Sequence, residues 1–369
     1  CFRDEDLRAD RQPEFTQIDL EMSFADEDDI ISVNEGFIKR LFDEFMHRPL
    51  EVPFKRMTWH EAMERFGSDK PDTRFAIELC NISDEVRSCG FGVFANCVAA
   101  GGSVRGINVP GGAKMSRKEI DSLVEFVKTY GAKGLAWYKN APEGASSSFA
   151  KFLTEDETAA VLKKLGCGAG DLALIVADKN KVVFDSLGAL RCEVAKRLGM
   201  IDRSKFNFLW ITEFPLFEYD EEEGRYYAMH HPFTMPMEED MDKIDTDPGA
   251  VRARAYDIVL NGTEIGGGSI RIHTTERQKQ MFHTLGIDDE TANEKFGYLL
   301  EAFKYGVPPH GGLAFGLDRL VAELLGIDDI RDVIAFPKVQ NASELMSKCP
   351  APGDPKALEE LCIKVDLHE

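Results

Sequence analysis

The stretch that decides the fold is Asp257-Ile258-Val259-Leu260-Asn261-Gly262-Thr263-Glu264-Ile265-Gly266-Gly267-Gly268-Ser269-Ile270-Arg271. Its Asn261-Gly262 pair stands between two short apolar runs, which is typical of a two-residue turn in a β-hairpin. Around this turn, Val259 is predicted to face Glu264. Asp257 then lies on the same side of the hairpin as Glu264, in the diagonal position.

Two carboxylates in this arrangement form a candidate cation site. Diagonal neighbours are roughly 7–8 Å apart at Cα, so Asp257 and Glu264 are close enough to share a divalent cation. The alternative is a salt-bridged surface hairpin with a flexible glycine strip. Arg271 lies an odd number of residues from Glu264, so an unbroken strand places it on the opposite face. We expect a β-bulge within Gly266–Gly268, which would return Arg271 to the face of the two acids.

Composition limits the class of protein. The 369 residues are enough for two domains and a large core, and the net charge of −21 argues against a simple basic nucleic-acid-binding module. Eight scattered cysteines without a C-x-x-C pair predict reduced thiols of a cytoplasmic protein. No apolar run is long enough to predict a membrane span. Because the chain begins at Cys1 inside a charged motif, we expect it to be the C-terminal part of a longer protein.

A charged loop opens the chain and leads into an alternating strand, Thr16–Phe24. The period of two places Gln17 and Asp19 on one side of this strand. They serve either as fixed hydrogen-bonding groups of a site or as a solvent-facing edge. The arginines of the loop favour a site, because a guanidinium suits bidentate contacts to phosphate.

Helix signals follow this strand. Ser32-Val33-Asn34-Glu35 predicts a capping box at the start of a core-facing helix. Thr58 with Glu61 predicts the start of a second helix, which Gly67 ends.

A change of composition at residues 69–74 marks a boundary, and residues 71–205 are predicted to form a separate α+β unit. Its predicted strands are 75–79, 92–94, 135–137, 172–177 and 182–184. Its predicted helices are 117–130, 155–165 and 186–198, the first of them capped by Ser116 and Glu119.

Two further stretches contain candidate functional residues. The pair His230-His231 lacks a third ligand at metal spacing, so the histidines either recognise a carboxylate or are structural. The glycine-rich run Gly311–Gly316 leads into a helix with Arg319 in its first turn. Arg319 can receive the phosphate tail of a nucleotide there, or it forms a salt bridge that caps the helix.

Together these stretches resemble the class II aminoacyl-tRNA synthetases, and within them the bacterial-type aspartyl-tRNA synthetases. Phe2-Arg3-Asp4-Glu5 with Arg11-Gln12-Pro13-Glu14-Phe15-Thr16-Gln17-Ile18-Asp19 resembles the second family motif, and Gly311–Arg319 resembles the third. The stretches 230–234 and 262–271 resemble two intervening signatures. The family fold is α+β, an antiparallel sheet flanked by helices. The resemblance implies catalytic core at residues 1–70 and 206–369, with an insertion domain of the GAD type at 71–205.

The resemblance also implies an activity, in which ATP activates L-aspartate to aspartyl-adenylate and tRNA(Asp) then accepts the aspartyl group. Charging of tRNA(Asn) is left open. Arg3, Glu264 and Arg319 are the implied catalytic residues. Asp257 and Glu264 are the implied ligands of Mg²⁺, which binds with ATP. The implied ATP-binding residues are Arg3, Asp4, Glu5, Gln12, Phe15, Glu264, Gly316, Leu317, Asp318 and Arg319. The implied aspartate-binding residues are Arg3, Gln17, Asp19, His230, His231, Gly268 and Arg271.

The full-length protein is expected to be a homodimer without membrane association. The first family motif, the anticodon-binding barrel and an upstream loop that contacts aspartate do not occur in this chain. We therefore expect the chain to lack part of the amino acid pocket and to be inactive alone. The rival interpretations are an asparaginyl-tRNA synthetase and a non-catalytic, synthetase-like tRNA-binding paralogue. The unit at 71–205 argues against the first, and the presence of Arg3, Glu264 and Arg319 argues against the second.

Overall fold

A computed structural model describes residues 1–4 and 6–366. The strands of this part of the chain are, in order, β1 (Gln17–Ser23), β2 (Lys55–Thr58), β3 (Leu79–Asn81), β4 (Ser103–Val109), β5 (Ala136–Ala141), β6 (Gly144–Ser147), β7 (Leu172–Asp178), β8 (Phe208–Thr212), β9 (Phe217–Asp220), β10 (Arg225–Ala228), β11 (Ala255–Leu260), β12 (Thr263–Ile270) and β13 (His310–Gly316).

The α-helices of the same residues are α1 (Glu27–Leu41), α2 (Trp59–Phe66), α3 (Ser83–Val86), α4 (Gly92–Ala99), α5 (Arg117–Lys128), α6 (Glu155–Leu165), α7 (Asn180–Arg197), α8 (Thr275–Thr284), α9 (Asp289–Phe303), α10 (Leu317–Leu325) and α11 (Pro355–Glu360). Within the described ranges, no helix has both the length and the apolar character needed to cross a lipid bilayer. The eight cysteines all lie in these ranges and are free thiols.

The chain forms two compact units. The first combines Cys1–Asp19 with Ala314–Glu369, and the second is Leu20–Leu313. Strands β1 and β13 are neighbours in the larger sheet of the chain. They belong to a six-stranded sheet with the order β1-β13-β12-β11-β8-β2. The α+β prediction of an antiparallel sheet flanked by helices is confirmed, with one parallel pair between β2 and β8.

Helices cover both faces of this sheet in the second unit. On one face the buried Trp210 of β8 donates a hydrogen bond from Nε1 to Oε1 of Glu35 in α1, at 3.0 Å. On the other face Leu209 and Val259 belong to the same hydrophobic core as Met281 of α8. The β11–β12 hairpin is therefore held in the middle of a packed layer.

Residues 71–205, which we call the middle segment, contain a second sheet. It has five strands in the order β3-β4-β7-β5-β6, and all of its pairs are antiparallel. One hydrophobic core contains residues of α5 and α7, and another contains residues of α3, α4 and α6. Both cores are built entirely from residues between Phe75 and Ala195. The middle segment thus has two hydrophobic cores of its own within the second unit, and its status as a separate domain stays a prediction.

Three predicted elements differ from the structure. The predicted strands 92–94 and 182–184 lie in helices α4 and α7. In α7, the buried residues Val183, Leu187, Leu190 and Val194 recur at helical spacing, and a three-residue apolar window does not reveal this period. The predicted strand 75–79 contributes only Leu79 to β3.

The predicted capping box at Ser32 is also wrong. The N-cap of helix α1 lies six residues earlier, at Asp26, which accepts hydrogen bonds from the backbone N–H groups of Asp28 and Asp29. The Asp26 carboxylate satisfies free N–H donors of the first helical turn, and Glu27, Asp28 and Asp29 complement the helix dipole. The caps at Thr58, Ser116 and Asp288 begin α2, α5 and α9, and Gly67 ends α2.

Candidate active site

The β11–β12 hairpin has the predicted turn and register. Asn261 and Gly262 form the turn with φ angles of 55° and 94°, as a two-residue hairpin turn with both central residues at positive φ requires. Val259 pairs with Glu264, as predicted from the sequence. Asp257 lies two residues before Val259 in β11, so the two residues are on the same face of the strand.

The predicted bulge exists, but its position differs. The register shifts between the pairs Ile258–Gly266 and Val259–Glu264, so the extra residue is Ile265 rather than one of Gly266–Gly268. The Ile265 side chain is buried, and the three glycines keep regular pairing. One extra residue reverses the alternation of the strand. Arg271 therefore lies on the same side of β12 as Glu264, which is the consequence that the prediction required.

Asp257 and Glu264 converge on Gly267. A Cβ placed on Gly267 would lie 2.4 Å from Oδ1 of Asp257 and 3.7 Å from Oε1 of Glu264. Asp257 is only 8% exposed. Its burial, with the neighbouring charges of Glu264 and Asp69, raises the pKa of Asp257 well above its usual value, while Lys70 opposes the shift. Two adjacent carboxylates repel each other when both are ionised. Such a pair suits a hard divalent cation, whose charge offsets the repulsion.

Asp69 is a member of this site that the sequence interpretation missed. Its charge raises the pKa of Asp257 and opposes the lowering of the pKa of His230. Within the described residues no group of three or more His, Cys, Asp or Glu side chains is arranged to hold a metal ion, so Asp69 is a neighbour of the acid pair rather than a third ligand. In the sequence Asp69 stands in the run Asp69-Lys70-Pro71-Asp72, which predicts a domain boundary and gives no sign of this role.

His230 and His231 lie beside Arg271. The backbone of the histidine loop runs along β12, where Thr234 bridges to Arg271 and the N–H of Ile272 donates to Phe233 O at 2.8 Å. Burial and the charge of Arg271 lower the pKa of both His230 and His231. At neutral pH, Arg271 is therefore the cation of this cluster and the two imidazoles are neutral.

Gly268 lies where the backbones of β12 and β13 approach each other closely. A Cβ at Gly268 would lie 1.9 Å from Gly312 O, and the hydroxyl of the buried Tyr256, opposite Gly268, donates to that same oxygen at 2.9 Å. Only glycine allows β12 and β13 to approach this closely. A contact between Gly268 and aspartate stays a prediction.

In the first unit, the opening loop folds back on itself. The N–H of Arg3 donates to Pro13 O at 2.9 Å, and the Arg3 guanidinium lies over the Phe15 ring at 5.2 Å from its centroid. Asp4 is exposed, and Glu5 lies outside the described residues. Arg3 and Phe15, the residues predicted to bind phosphate and adenine, are thus brought together.

Gln12 has a structural role in this loop. It is 3% exposed, its Oε1 accepts a hydrogen bond from the N–H of Lys338 at 2.8 Å, and its Nε2 donates to Arg11 O at 3.4 Å. Lys338 also forms an ion pair with Glu14 at 3.1 Å. These contacts fix the loop that carries the ATP-binding candidates, while contact between Gln12 and a nucleotide stays a prediction.

The glycine-rich run Gly311–Gly316 has the predicted strand-to-helix form, with β13 ending at Gly316 and α10 beginning at Leu317. Arg319 donates from Nε to Asp10 O at 3.1 Å and approaches the Asp10 carboxylate at 3.6 Å. The alternative of a salt bridge is therefore observed, directed to the opening loop rather than to a cap of α10. Asp318, which precedes Arg319, accepts a hydrogen bond from the N–H of Thr16 at 3.2 Å.

Strand β1 carries the two remaining candidates. Gln17 is half-buried and its Oε1 lies 3.1 Å from Cys1 Sγ, whereas Asp19 is exposed. The candidate residues thus fall into two groups, each within one unit. Arg3, Phe15, Gln17, Asp19 and residues 316–319 belong to the first unit, and Asp257, Glu264, Arg271 and the histidine pair belong to the second.

Comparison with known proteins gives a consistent result. The family described as tRNA synthetases class II (D, K and N) matches residues 1–340. The aspartate–tRNA ligase of Agathobacter rectalis is 62% identical over 370 residues, which is 100% of this chain and 62% of that protein. The aspartate–tRNA ligase of Ruminiclostridium cellulolyticum is 63% identical over 366 residues, 99% of this chain and 62% of that protein.

A third relative has a broader name. The aspartate–tRNA(Asp/Asn) ligase of Lachnoclostridium phytofermentans is 60% identical over 364 residues, which cover 98% of this chain and 61% of that protein. The chain therefore spans somewhat more than three fifths of the length of these relatives.

Proposed function

Because the chain belongs to the class II tRNA synthetases of the D, K and N type, we propose that it carries the catalytic core of a protein that joins L-aspartate to tRNA(Asp). In the first step, an α-carboxylate oxygen of aspartate attacks the α-phosphorus of ATP. Pyrophosphate leaves and aspartyl-adenylate remains. In the second step, a ribose hydroxyl of the 3′-terminal adenosine attacks the aspartyl carbonyl carbon, and AMP leaves.

The observation that carries this proposal is the common face of the β11–β12 hairpin, to which Asp257 of β11, Glu264 of β12 and Arg271 all belong. A guanidinium forms two parallel hydrogen bonds with a carboxylate, and it leaves the amide of asparagine with an unmatched donor. The neutral His230 and His231 beside it add hydrogen-bonding groups without cancelling its charge. This cluster suits the side chain of aspartate better than that of asparagine or lysine.

The acid pair fits Mg²⁺ bound together with ATP. Asp257 and Glu264 supply the oxygen ligands that this ion prefers, and Mg²⁺ in such sites takes one or two carboxylates together with phosphate oxygens. When bound, the ion supplies positive charge that stabilises the pyrophosphate as it leaves. The missing side chain of Gly267 leaves room for the Asp257 carboxylate, which a Cβ there would meet at 2.4 Å.

Residues of the first unit are proposed to hold the nucleotide and the reacting end of aspartate. Arg3 contacts the α-phosphate and the carboxylate, and Glu5 and Phe15 hold the adenine, with Gln12 nearby. Gly316–Asp318 line the nucleotide, and Arg319 stacks on the adenine or pairs with the terminal phosphate. Gln17 and Asp19 bind the amino group of aspartate. Such a reaction depends on orientation and charge neutralisation more than on proton transfer.

The test is ATP–pyrophosphate exchange by the full-length protein, with aspartate, asparagine and lysine offered separately. We expect exchange with aspartate alone, followed by charging of tRNA(Asp). Exchange with asparagine would favour an asparaginyl-tRNA synthetase. ATP binding without exchange with any of the three would indicate the non-catalytic paralogue. Transcripts of tRNA(Asp) and tRNA(Asn) offered side by side decide whether the acceptor is one tRNA or two.

The remaining proposals concern the whole protein. We propose that it acts in the cytoplasm as a homodimer, with residues 1–70 and 206–369 as catalytic core and 71–205 as an inserted domain. Sedimentation equilibrium of the full-length protein checks the dimer, since a monomer would contradict it.

A further inference from the structure

The tip of the β11–β12 hairpin is hydrogen-bonded to the chain at both ends of the middle segment. We call these ends the entry crossing, residues 72–74, and the exit crossing, residues 205–207. On the entry side, Arg74 donates from Nη2 to Asn261 O at 3.3 Å. Arg74 is in turn paired with the buried Asp72, at 2.7 Å between Nη2 and Oδ2. A Cβ on Gly262 would lie 3.0 Å from Asp72 Cβ, so the entry segment also packs directly on the turn.

The exit side contacts the same residue. The N–H of Asn261 donates to Asn207 O at 3.2 Å, and the N–H of Asn207 donates back to Asn261 Oδ1 at 3.0 Å. Asn261 Nδ2 donates to Lys205 O at 2.9 Å. Asn207 Nδ2 lies 3.4 Å from Thr73 Oγ1, which joins the two crossings to each other. Asn261 is therefore the common partner of both crossings.

Asn261 combines two properties that this position needs. It has a φ of 55°, in the left-handed region that asparagine and glycine tolerate. It is also 8% exposed, and both polar atoms of its side chain are hydrogen-bonded. A turn residue serving only the hairpin would need the first property alone, and glycine would satisfy it.

The entry crossing is itself fixed by helix α7 of the middle segment. Arg191 is 1% exposed, and its guanidinium carbon lies 4.9 Å from the ring centroid of Phe66 and 4.3 Å from that of Phe75. It donates to Asp72 O at 2.9 Å and to Ile77 O at 2.7 Å. A shift of α7 would thus move Asp72, and with it the contact to the hairpin tip.

We infer that Asn261 is a positioning residue, through which the middle segment sets the placement of the hairpin that carries Asp257 and Glu264. This inference rests on the proposed function, because it assigns the hairpin to Mg²⁺ and ATP. It gives the middle segment a role in the first step that does not require a partner of its own. Metal-site residues depend on the groups that orient them, and loss of such a group commonly weakens metal affinity by about 10–100-fold.

The test compares Asn261→Gly with Asn261→Asp in the full-length protein. Asn261→Gly keeps the positive φ and removes both side-chain hydrogen bonds. Asn261→Asp keeps the acceptor for Asn207 and loses the donor to Lys205. The matched control is Asn140→Ala, which removes one asparagine hydrogen bond inside the middle segment, from Nδ2 to Gly168 O at 2.9 Å.

Two measurements are made on each variant. Calorimetric titration of Mg²⁺ in the presence of ATP should show about a 10-fold loss of affinity in Asn261→Gly, a smaller loss in Asn261→Asp and none in Asn140→Ala. Hydrogen–deuterium exchange without ligands should be faster in Asn261→Gly within residues 257–267, 72–74 and 205–207. The same Mg²⁺ affinity in Asn261→Gly and wild type would overturn the inference, whatever the hydrogen exchange.

Failure of the proposed function is distinguishable from failure of this inference. A wild-type protein without aspartate-dependent pyrophosphate exchange contradicts the proposed function. Calorimetry and hydrogen exchange still decide the inference in that case, because neither depends on turnover. Hydrogen exchange in Asn261→Gly that matches wild type in both crossings would likewise overturn it.

Discussion

Asp257 faces Gly267 across the β11–β12 ladder, and the space that a side chain on Gly267 would fill is taken by the Asp257 carboxylate. Regular pairing continues through the three glycines, so their small size serves this contact and the approach of β13 rather than a bulge. The small size of these glycines is therefore a requirement of packing around the acid pair.

Gly267→Ala should displace the Asp257 carboxylate, because the new Cβ would lie 2.4 Å from Oδ1. We expect an affinity for Mg²⁺ in the presence of ATP that is lower by about 10-fold or more. Overpacking should also lower the free energy of unfolding by roughly 1–3 kcal/mol. Titration calorimetry and thermal unfolding measure the two effects.

The control is Gly36→Ala in α1, where nothing lies within 4 Å of the new Cβ. This substitution should raise the free energy of unfolding by up to about 1 kcal/mol. Wild-type affinity in Gly267→Ala would contradict the assignment of Asp257.

Arg271→Lys should weaken recognition of aspartate while leaving the nucleotide unaffected. Lysine keeps the charge but cannot form the bidentate pair, and hydrogen bonds to charged groups contribute about 1.5–3 kcal/mol each. The KM for aspartate in pyrophosphate exchange should therefore rise by roughly 10–100-fold, with little change in the KM for ATP. Equal changes in both values would show that Arg271 acts on the whole site.

Removal of the Arg271 charge should also change the titration of its neighbour. Burial first, and then Arg271, lower the pKa of His231. In Arg271→Gln only the burial remains, so the pKa of His231 should move upward toward its usual value. Titration of the imidazole by NMR measures this shift without any turnover. An unchanged pKa would mean that Arg271 does not face His231 in solution.

Binding of tRNA should depend on the basic residues of the opening loop, despite the net charge of −21. Arg8 and Arg11 face each other across a tight bridge, each N–H donating to the other's carbonyl at 3.2 Å, and Arg8 is exposed. Arg8→Ala should lower the slope of log affinity against log salt by about 1. The exposed Lys39 of α1 is the control, since Lys39→Ala should leave the slope unchanged. An unaltered slope in Arg8→Ala would place the tRNA elsewhere.

Asp240 should govern part of the acid stability of the second unit. Its burial raises the pKa of the carboxyl, but hydrogen bonds from Arg252 and Lys243 outweigh this and lower the pKa to about 2. A depressed pKa means that Asp240 stabilises the fold above about pH 4, and that this contribution of about 2 kcal/mol disappears as pH falls toward about 2.

Asp240→Asn therefore should lower the free energy of unfolding at pH 7, and the difference from wild type should shrink as the pH approaches 3. Denaturant unfolding at pH 7, 5 and 3 measures this trend. Asp84→Asn removes an exposed ion pair with Arg87 and should change stability by less than about 0.5 kcal/mol. A difference in Asp240→Asn that stays constant with pH would contradict the depressed pKa.

The local signals of the sequence were sufficient for the centre of the fold. The Asn261-Gly262 turn, the pairing of Val259 with Glu264 and the need for one extra residue before Arg271 follow from short-range stereochemistry, and the structure confirms them. The position of the bulge did not follow, because the choice of Ile265 depends on which side chains the core and β13 accept.

The remaining differences arise from contacts distant in sequence. The residues around Asp69 predict a boundary, and nothing within a few residues of it indicates that its charge acts on the pKa of Asp257 and of His230. The same holds for Arg191, whose partners at Asp72 and Ile77 are more than a hundred residues away. The apolar run 182–184 was too short to distinguish a strand from a turn of helix α7.

The bonds at Asn261 also determine how the protein could be divided. An edit that joins residue 70 to residue 206 would delete Asp72, Thr73, Arg74 and Lys205 together with the middle segment, and with them the contacts that support the hairpin tip. A minimal core intended for grafting or miniaturisation should instead keep residues 71–74 and 205–207, and close the gap between them with a new connection. The new connection is then made within the middle segment, so that the residues which contact the hairpin tip are kept.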